Sequence, residues 1–334
     1  MQTGRIVYID WLKAFTIFLV LLGHSAQKFS VSGVLTPIFY VGAFHMPLFM
    51  MLSGFFLGKS LDRGLKFILF TRSRQLLLPV LSFSVMVFAV AKFIPILDVT
   101  EGLDFFAYIT GGDMWFLKYL YAGTLLAYVS DRIFRIRILA AVLPASLLIS
   151  LSRVGIFVYY PYLWLGYYVH KYEHIITRHL RWLLPVSFII FAILLLLWNF
   201  DYEYPYYRIL TIKNGVYFSS YDCLIVIFRF AIGAIGSLAF VCMFKKIRWD
   251  NIERRFPAFS KFCLNAGKRT LGIYCLQIYL LEDVGRCVTL PEHSALADVA
   301  IVFGVAVAEF MVCNILVGLM EKCKHIRLLF LGQR

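Results

Sequence analysis

The chain has 334 residues, 61% of them hydrophobic and only 16% charged, with a mean hydropathy of +0.79. A water-facing surface of this size needs more charge, so composition excludes a soluble globular fold. The formal net charge of +14 would suit nucleic acid, but the Lys and Arg residues fall in short clusters between apolar runs, as in the cytoplasmic loops of membrane proteins, and no nucleic-acid partner is expected.

Runs of about 18 or more apolar residues are candidate spans, since about 20 residues at 1.5 Å rise cross the hydrocarbon. In chain order they predict ten helices, over 10–28, 37–57, 75–94, 114–130, 138–151, 154–170, 182–200, 223–244, 270–282 and 295–320. The fifth and ninth are the shortest of the set. The stretch after His24 lacks a small-residue cleavage pattern, and Asp10 and Lys13 interrupt its start, so the first helix reads as mature rather than as a signal peptide.

Basic residues gather in alternate loops. Lys59, Arg63, Lys66, Arg72 and Arg74 follow the second helix, Arg132, Arg135 and Arg137 the fourth, and Lys171, Arg178 and Arg181 the sixth. The eighth is followed by a run from Lys245 to Arg269, the tenth by Lys322, Lys324 and Arg327. The opposite loops carry Asp98, Glu101, Asp104 and Asp113, then Asp201, Glu203 and a Tyr-rich stretch around Tyr206. This alternation predicts an even number of spans with both termini cytoplasmic. The expectation is an all-α, polytopic membrane bundle occupying 1–334 as one domain, with no appended soluble domain.

Polar groups inside spans are the functional candidates, because ionisable side chains at that depth face a bundle interior or a water-filled cavity. Asp10, Lys13 and His24 lie on the first helix. At 100° per residue Lys13 and His24 fall within roughly 20° of each other and Asp10 about 60° from Lys13. The stripe from Lys13 to His24 is about 16 Å long, with the lysine near the cytoplasmic end. The bland alternatives are snorkelling for Asp10 and Lys13 and a packing hydrogen bond for His24.

The second helix brings His45, Pro47, Ser53 and Gly54; a histidine beside a proline also serves to satisfy freed backbone groups, and Gly54 with Gly58 also reads as a packing face. The triplet Gly58, Lys59, Ser60 is no phosphate loop, because Gly54 is one residue too close and no strand precedes it. Arg72 and Arg74 open the third helix, where guanidinium groups clamp phosphate, although positive-inside charge alone would also put them there. Trp115 starts the fourth helix in the position of an aromatic belt. Cys223, Cys242, Cys263, Cys275, Cys287, Cys313 and Cys323 form no CxxC pair; they read as small hydrophobes, and no metal is expected.

Five segments, in order, resemble the membrane-bound acyltransferase-3 family: Lys13 and His24 with ten residues between them, FHMPLFMMLSGFFLG at 44–58, the basic turn with Arg72 and Arg74, MWFLKYL at 114–120, and GKRTLGIYCLQIYL at 267–280. Each is short, and their order and coverage make the set specific. The resemblance implies a ten-helix membrane enzyme that transfers an acyl group, commonly acetyl, from cytoplasmic acyl-CoA to a hydroxyl of a glycan, lipid-linked sugar or similar envelope acceptor. It implies an inner-membrane location, with His24 catalytic, Lys13 in the paired basic position, and Arg72 and Arg74 holding CoA. Gln277 stands where members often carry His; an amide there still donates or accepts a hydrogen bond.

Histidine is suited to take a proton from an attacking hydroxyl. Asp10 orienting Lys13, His45 assisting the base, and Trp115, Gln277 and Ser53 meeting substrate complete the expected site. Two other classes fit polar residues within spans. A secondary transporter predicts an inverted repeat, which the sequence does not show. A glycosyltransferase or polymerase using lipid-linked sugars predicts large outer loops, and only 201–221 is a candidate. Gly233 and Gly236 suit packing within one chain or between chains, so the oligomeric state is left open.

Overall fold

The structure, a computed structural model, describes residues 6–30, 40–93, 105–106, 109, 114–134, 137, 156–199, 202, 210–212, 216–280 and 294–333. The expected fifth helix, Arg135, Cys287, Asp98, Glu101, Asp104, Asp113, Asp201, Glu203 and Tyr206 lie outside these residues.

The first helix, α1, runs Val7–Phe29. It starts earlier than its polar residues suggested, because Val7 and Ile9 extend the apolar face and Tyr8 donates to Glu173 at 2.8 Å. The expected second span is broken into a 3-10 turn Tyr40–Ala43, α2 (His45–Gly54) and α3 (Leu57–Asp62). Pro47 sits in the first turn of α2, where its missing N–H would have had no partner anyway. A π-helical stretch, Phe67–Arg72, leads into α4 (Ser73–Phe93). Then come α5 (Trp115–Ile133), α6 (Ile156–Lys171) and α7 (Glu173–Leu196). Arg178 and Arg181, expected in a loop, lie on α7; no Gly or Pro interrupts the stretch ahead of them, and the helix extends below its apolar part.

A two-stranded antiparallel hairpin, β1 (Leu210–Ile212) and β2 (Val216–Phe218), pairs Leu210 with Phe218. The long helix α8 (Ser220–Lys246) is capped by Ser219, whose hydroxyl accepts from the Asp222 N–H at 3.2 Å. The basic run after it is helical rather than a loop: α9 is Trp249–Arg255 and α10 Pro257–Lys268, with Pro257 at a helix start. α11 (Thr270–Gln277), α12 (Ala295–Met320) and α13 (Lys324–Leu331) complete the chain. Gly332 ends α13 in the left-handed region at φ 63°, a conformation glycine adopts freely.

Among the described residues five helices are long and apolar enough to cross a membrane: Val7–Phe29, Gly64–Val90, Glu173–Leu196, Ser220–Lys246 and Ala295–Met320. Their outward faces are apolar, as with Ile189, Ile193 and Leu196 on α7, which suits lipid. The six described cysteines form no disulfide.

Helix α1 is the hub, packing on α2, α8, α10, α11 and α12; its Leu12, Ile17 and Leu21 are fully buried. In lipid the hydrophobic effect does not draw helices together, so close contact depends on small residues and polar groups. The α2–α6 seam shows this. A side chain on Gly54 would strike the Leu163 carbonyl, and one on Gly166 the Met51 carbonyl, so the two backbones touch where both residues are glycine.

Candidate active site

At the end of the bundle rich in Lys and Arg, α1 carries Asp10 and Lys13. The Lys13 ammonium stands 4.9 Å from the Phe56 ring centroid and Lys59 stands 5.8 Å from the same ring. Asp10 and Arg72 lie near enough for their charges to act on Lys13, so residues from α1 and from the turn before α4 converge. The broken second span makes this possible: the chain turns at Phe55 and Phe56 between α2 and α3, which aims Phe56 at the lysine rather than along a helix.

The guanidinium of Arg72 donates to Ser60 Oγ from Nη2 at 2.6 Å and from Nε at 3.2 Å, and from Nη1 to Gln75 Oε1 at 3.4 Å. A π-helical turn holds more residues than an α-helical one, so side chains beyond it are rotated relative to those before it. Arg72 ends such a stretch, and Ser60, with 1% exposure, is its anchor on α3.

Arg72 also lines a cavity of about 200 Å³ together with Gln75, Pro79, Leu117, Lys268 and Arg269. Its two other cations differ in state. Arg269 donates from Nη2 and Nε to Glu321 Oε2 at 2.6 and 2.9 Å and from Nη1 to Asn314 Oδ1 at 3.1 Å. Lys268 has no such partner among the described residues. The chamber is therefore cationic where Arg72 and Lys268 stand and apolar where Pro79 and Leu117 stand, an arrangement that takes an anionic group with an uncharged arm. Arg74, the other expected clamp, is not in this lining: its backbone meets Gly332 at the end of α13.

Toward the far end lie the histidines. His45 Nδ1 sits 2.8 Å from the Val41 carbonyl oxygen. A carbonyl only accepts, so the ring proton is at Nδ1, and a neutral His45 presents Nε2 as an acceptor. His24 is close enough for a charge on it to act on His45. The stripe on α1 and the start of α2 thus bring two imidazoles together.

Trp115 belongs to an aromatic group with Tyr159, 5.2 Å between centroids, and Tyr119 at 5.3 Å. Gln277 is 1% exposed and neither amide atom has a hydrogen-bond partner among the described residues. It follows Tyr274, which accepts from the Phe116 N–H at 3.3 Å, so the end of α11 stands beside the start of α5. Ser53 is turned inward on its own helix: its hydroxyl donates to the Phe49 carbonyl at 3.0 Å, which leaves it no proton for a substrate. The structure brings Lys13 near Arg72 and His24 near His45.

Three residues of interest escaped sequence reading. Phe56 and Lys268 lie within the segments 44–58 and 267–280 matched above, but neither carried a signal of its own. Arg229 did: it is a cation in the middle of a 27-residue apolar helix and is buried at 7% exposure, and intramembrane cations mark functional positions by default. Tyr162 donates to its backbone carbonyl at 3.0 Å.

A family model described as an acyltransferase domain matches residues 6–316 of the chain. Among curated proteins, nodulation protein NolL of Mesorhizobium japonicum is 25% identical over 328 residues, covering 91% of this chain and 84% of its own. A second nodulation protein NolL, from Sinorhizobium fredii, is 29% identical over 229 residues, covering 64% of this chain and 62% of its own. No solved structure matches the chain.

Proposed function

The chain belongs to the acyltransferase-3 family and is an acyltransferase, and from that premise we propose that it moves an acyl group, acetyl first among candidates, from cytoplasmic acyl-CoA to a hydroxyl of a glycan or lipid-linked sugar. In this reading it is a ten-helix protein of the inner cell membrane with both termini in the cytoplasm. The observation that carries the proposal is the chamber at the basic end, where Arg72 and Lys268 stand over an apolar interior. A phosphate held at those cations leaves a pantetheine arm to pass into the bundle. Lys13 marks the entry and His24 the reacting end, about 16 Å further along α1.

The step balances with one histidine. As the acceptor oxygen bonds to the acyl carbon, His24 takes the hydroxyl proton. The carbon–sulfur bond breaks, and the imidazolium returns that proton to the departing thiolate. The products are an ester and free CoA thiol, and the ring is neutral again. His45, its Nδ1 proton committed to Val41, orients the acceptor hydroxyl through Nε2. Asp10 steadies Lys13, Trp115 stacks on a sugar face, and the Gln277 amide donates to the thioester carbonyl. Direct transfer is the simpler route than an acyl-histidine, since one base suffices.

The test is transfer of radiolabelled acetyl-CoA by detergent-purified protein, wild type against His24→Ala, with a crude envelope glycan extract as acceptor. Label should pass to the extract with wild type alone. Equal transfer by the variant removes His24 from the chemistry, and failure of wild type with acetyl-CoA and longer acyl-CoAs removes the donor.

A further inference from the structure

A second hollow lies beside the donor chamber. It is a groove of about 350 Å³ along α10, lined by Glu253, Ser260, Lys261, Leu264, Asn265 and Lys268. Lys268 lines the chamber as well, so the two hollows meet at that residue. Ser260, Leu264 and Lys268 recur every four residues, as do Lys261 and Asn265, which places them on adjacent stripes of one helix face.

Two features show that this face is built for more than solvent. Ser260 is 2% exposed, yet its hydroxyl has no hydrogen-bond partner among the described residues, and Glu253 Oε1 is buried in the same state. Buried polar atoms are nearly always bonded, so two orphans in one groove point to a ligand that completes them. In addition Lys261 and Lys268 carry no ion pair among the described residues, whereas the neighbouring Arg269 is matched by Glu321. The groove thus offers two uncommitted cations beside a hydroxyl, an amide and a carboxylate.

Resting on the acyl-CoA reading above, we infer that the nucleotide half of the donor lies in this groove. Ser260 and Lys268 are about 12 Å apart along the helix, a span of the order of a nucleoside diphosphate. Lys268 holds the diphosphate where groove and chamber meet, and Lys261 holds the phosphate on the ribose. Glu253 accepts from ribose hydroxyls or the adenine amino group. Ser260 and Asn265 bond the base or the sugar. The arm beyond the diphosphate enters the chamber past Pro79 and Leu117.

Binding of CoA and of 4′-phosphopantetheine to full-length purified protein, measured by titration calorimetry, tests this without any acceptor or acyl group. Wild type should bind CoA more tightly than 4′-phosphopantetheine. Lys261→Ala, a change at an exposed position, should weaken CoA by about fivefold and leave 4′-phosphopantetheine unchanged, whereas Lys268→Ala should weaken both. Equal affinity of wild type for the two ligands, or a Lys261→Ala protein that binds CoA as wild type does, overturns the inference and leaves the donor reading standing. A wild-type protein that binds neither ligand overturns both.

Discussion

The Nδ1 atom of His45 lies 2.8 Å from the carbonyl oxygen of Val41, one turn earlier in the chain. That contact fixes the tautomer and leaves Nε2 facing away. His45→Asn keeps an N–H near the Nδ1 position but removes Nε2, so it should keep the wild-type unfolding temperature while lowering kcat by about 10²-fold. His45→Gln should lose the Val41 contact and recover part of the rate if its amide reaches the Nε2 position. Steady-state kinetics with a saturating acyl donor read both outcomes; an Asn variant at full kcat confines His45 to a structural role.

The crossing of α2 and α6 should tolerate no added methyl group. In Gly166→Ala the new carbon falls on the Met51 carbonyl, and backbone cannot move aside as a side chain can. A loss of about 1–3 kcal/mol is expected. Gly23→Ala, where nothing lies within 4 Å, should unfold as wild type or slightly higher. Unfolding of the two variants in the same detergent compares them directly.

Arg269 braces three helices by holding Glu321 and Asn314 from the turn between α10 and α11. Arg269→Gln should cost about 1–3 kcal/mol, since a half-buried carboxylate loses its partner. The reversed pair Arg269→Glu with Glu321→Arg should recover part of that loss. Additivity across the double-mutant cycle would mean the pair is not coupled.

Burial pushes the Cys263 thiol up to about 11. The thiolate is the reactive form, so maleimide modification of Cys263 should be slow at pH 7 and accelerate as pH rises toward that value. Cys323, exposed after α12, should label first. A membrane-impermeant maleimide should reach Cys323 in inverted vesicles and not in intact cells; the reverse would place that end of the chain outside.

Much of this molecule was legible without coordinates. Apolar runs of spanning length and the segregation of Lys and Arg depend on one helix at a time, and they located α1, α8 and α12 within a few residues. Amphipathic segments are less legible: α9, α10 and α13 carry too much charge to register as spans, and the start of α7 reads as a loop, because hydropathy reports depth in lipid rather than helix formation. The stripe of Asp10, Lys13 and His24 was visible because a single helix carries it and its period is fixed.

What pairs with that stripe was decided only by the fold. Lys13 stands over the Phe56 ring and His24 lies near His45 because α1 packs against α2. Arg72 and Arg74 are two residues apart in sequence, yet one lines the chamber and the other backs onto Gly332, since neighbouring positions on a helix face different ways. Sequence alone determined that this is a helical membrane protein with basic and histidine groups at fixed heights on its first helix. Tertiary packing decided which of its polar side chains share a site, because contacts between residues far apart in the chain depend on helix rotation and register, which no local period encodes.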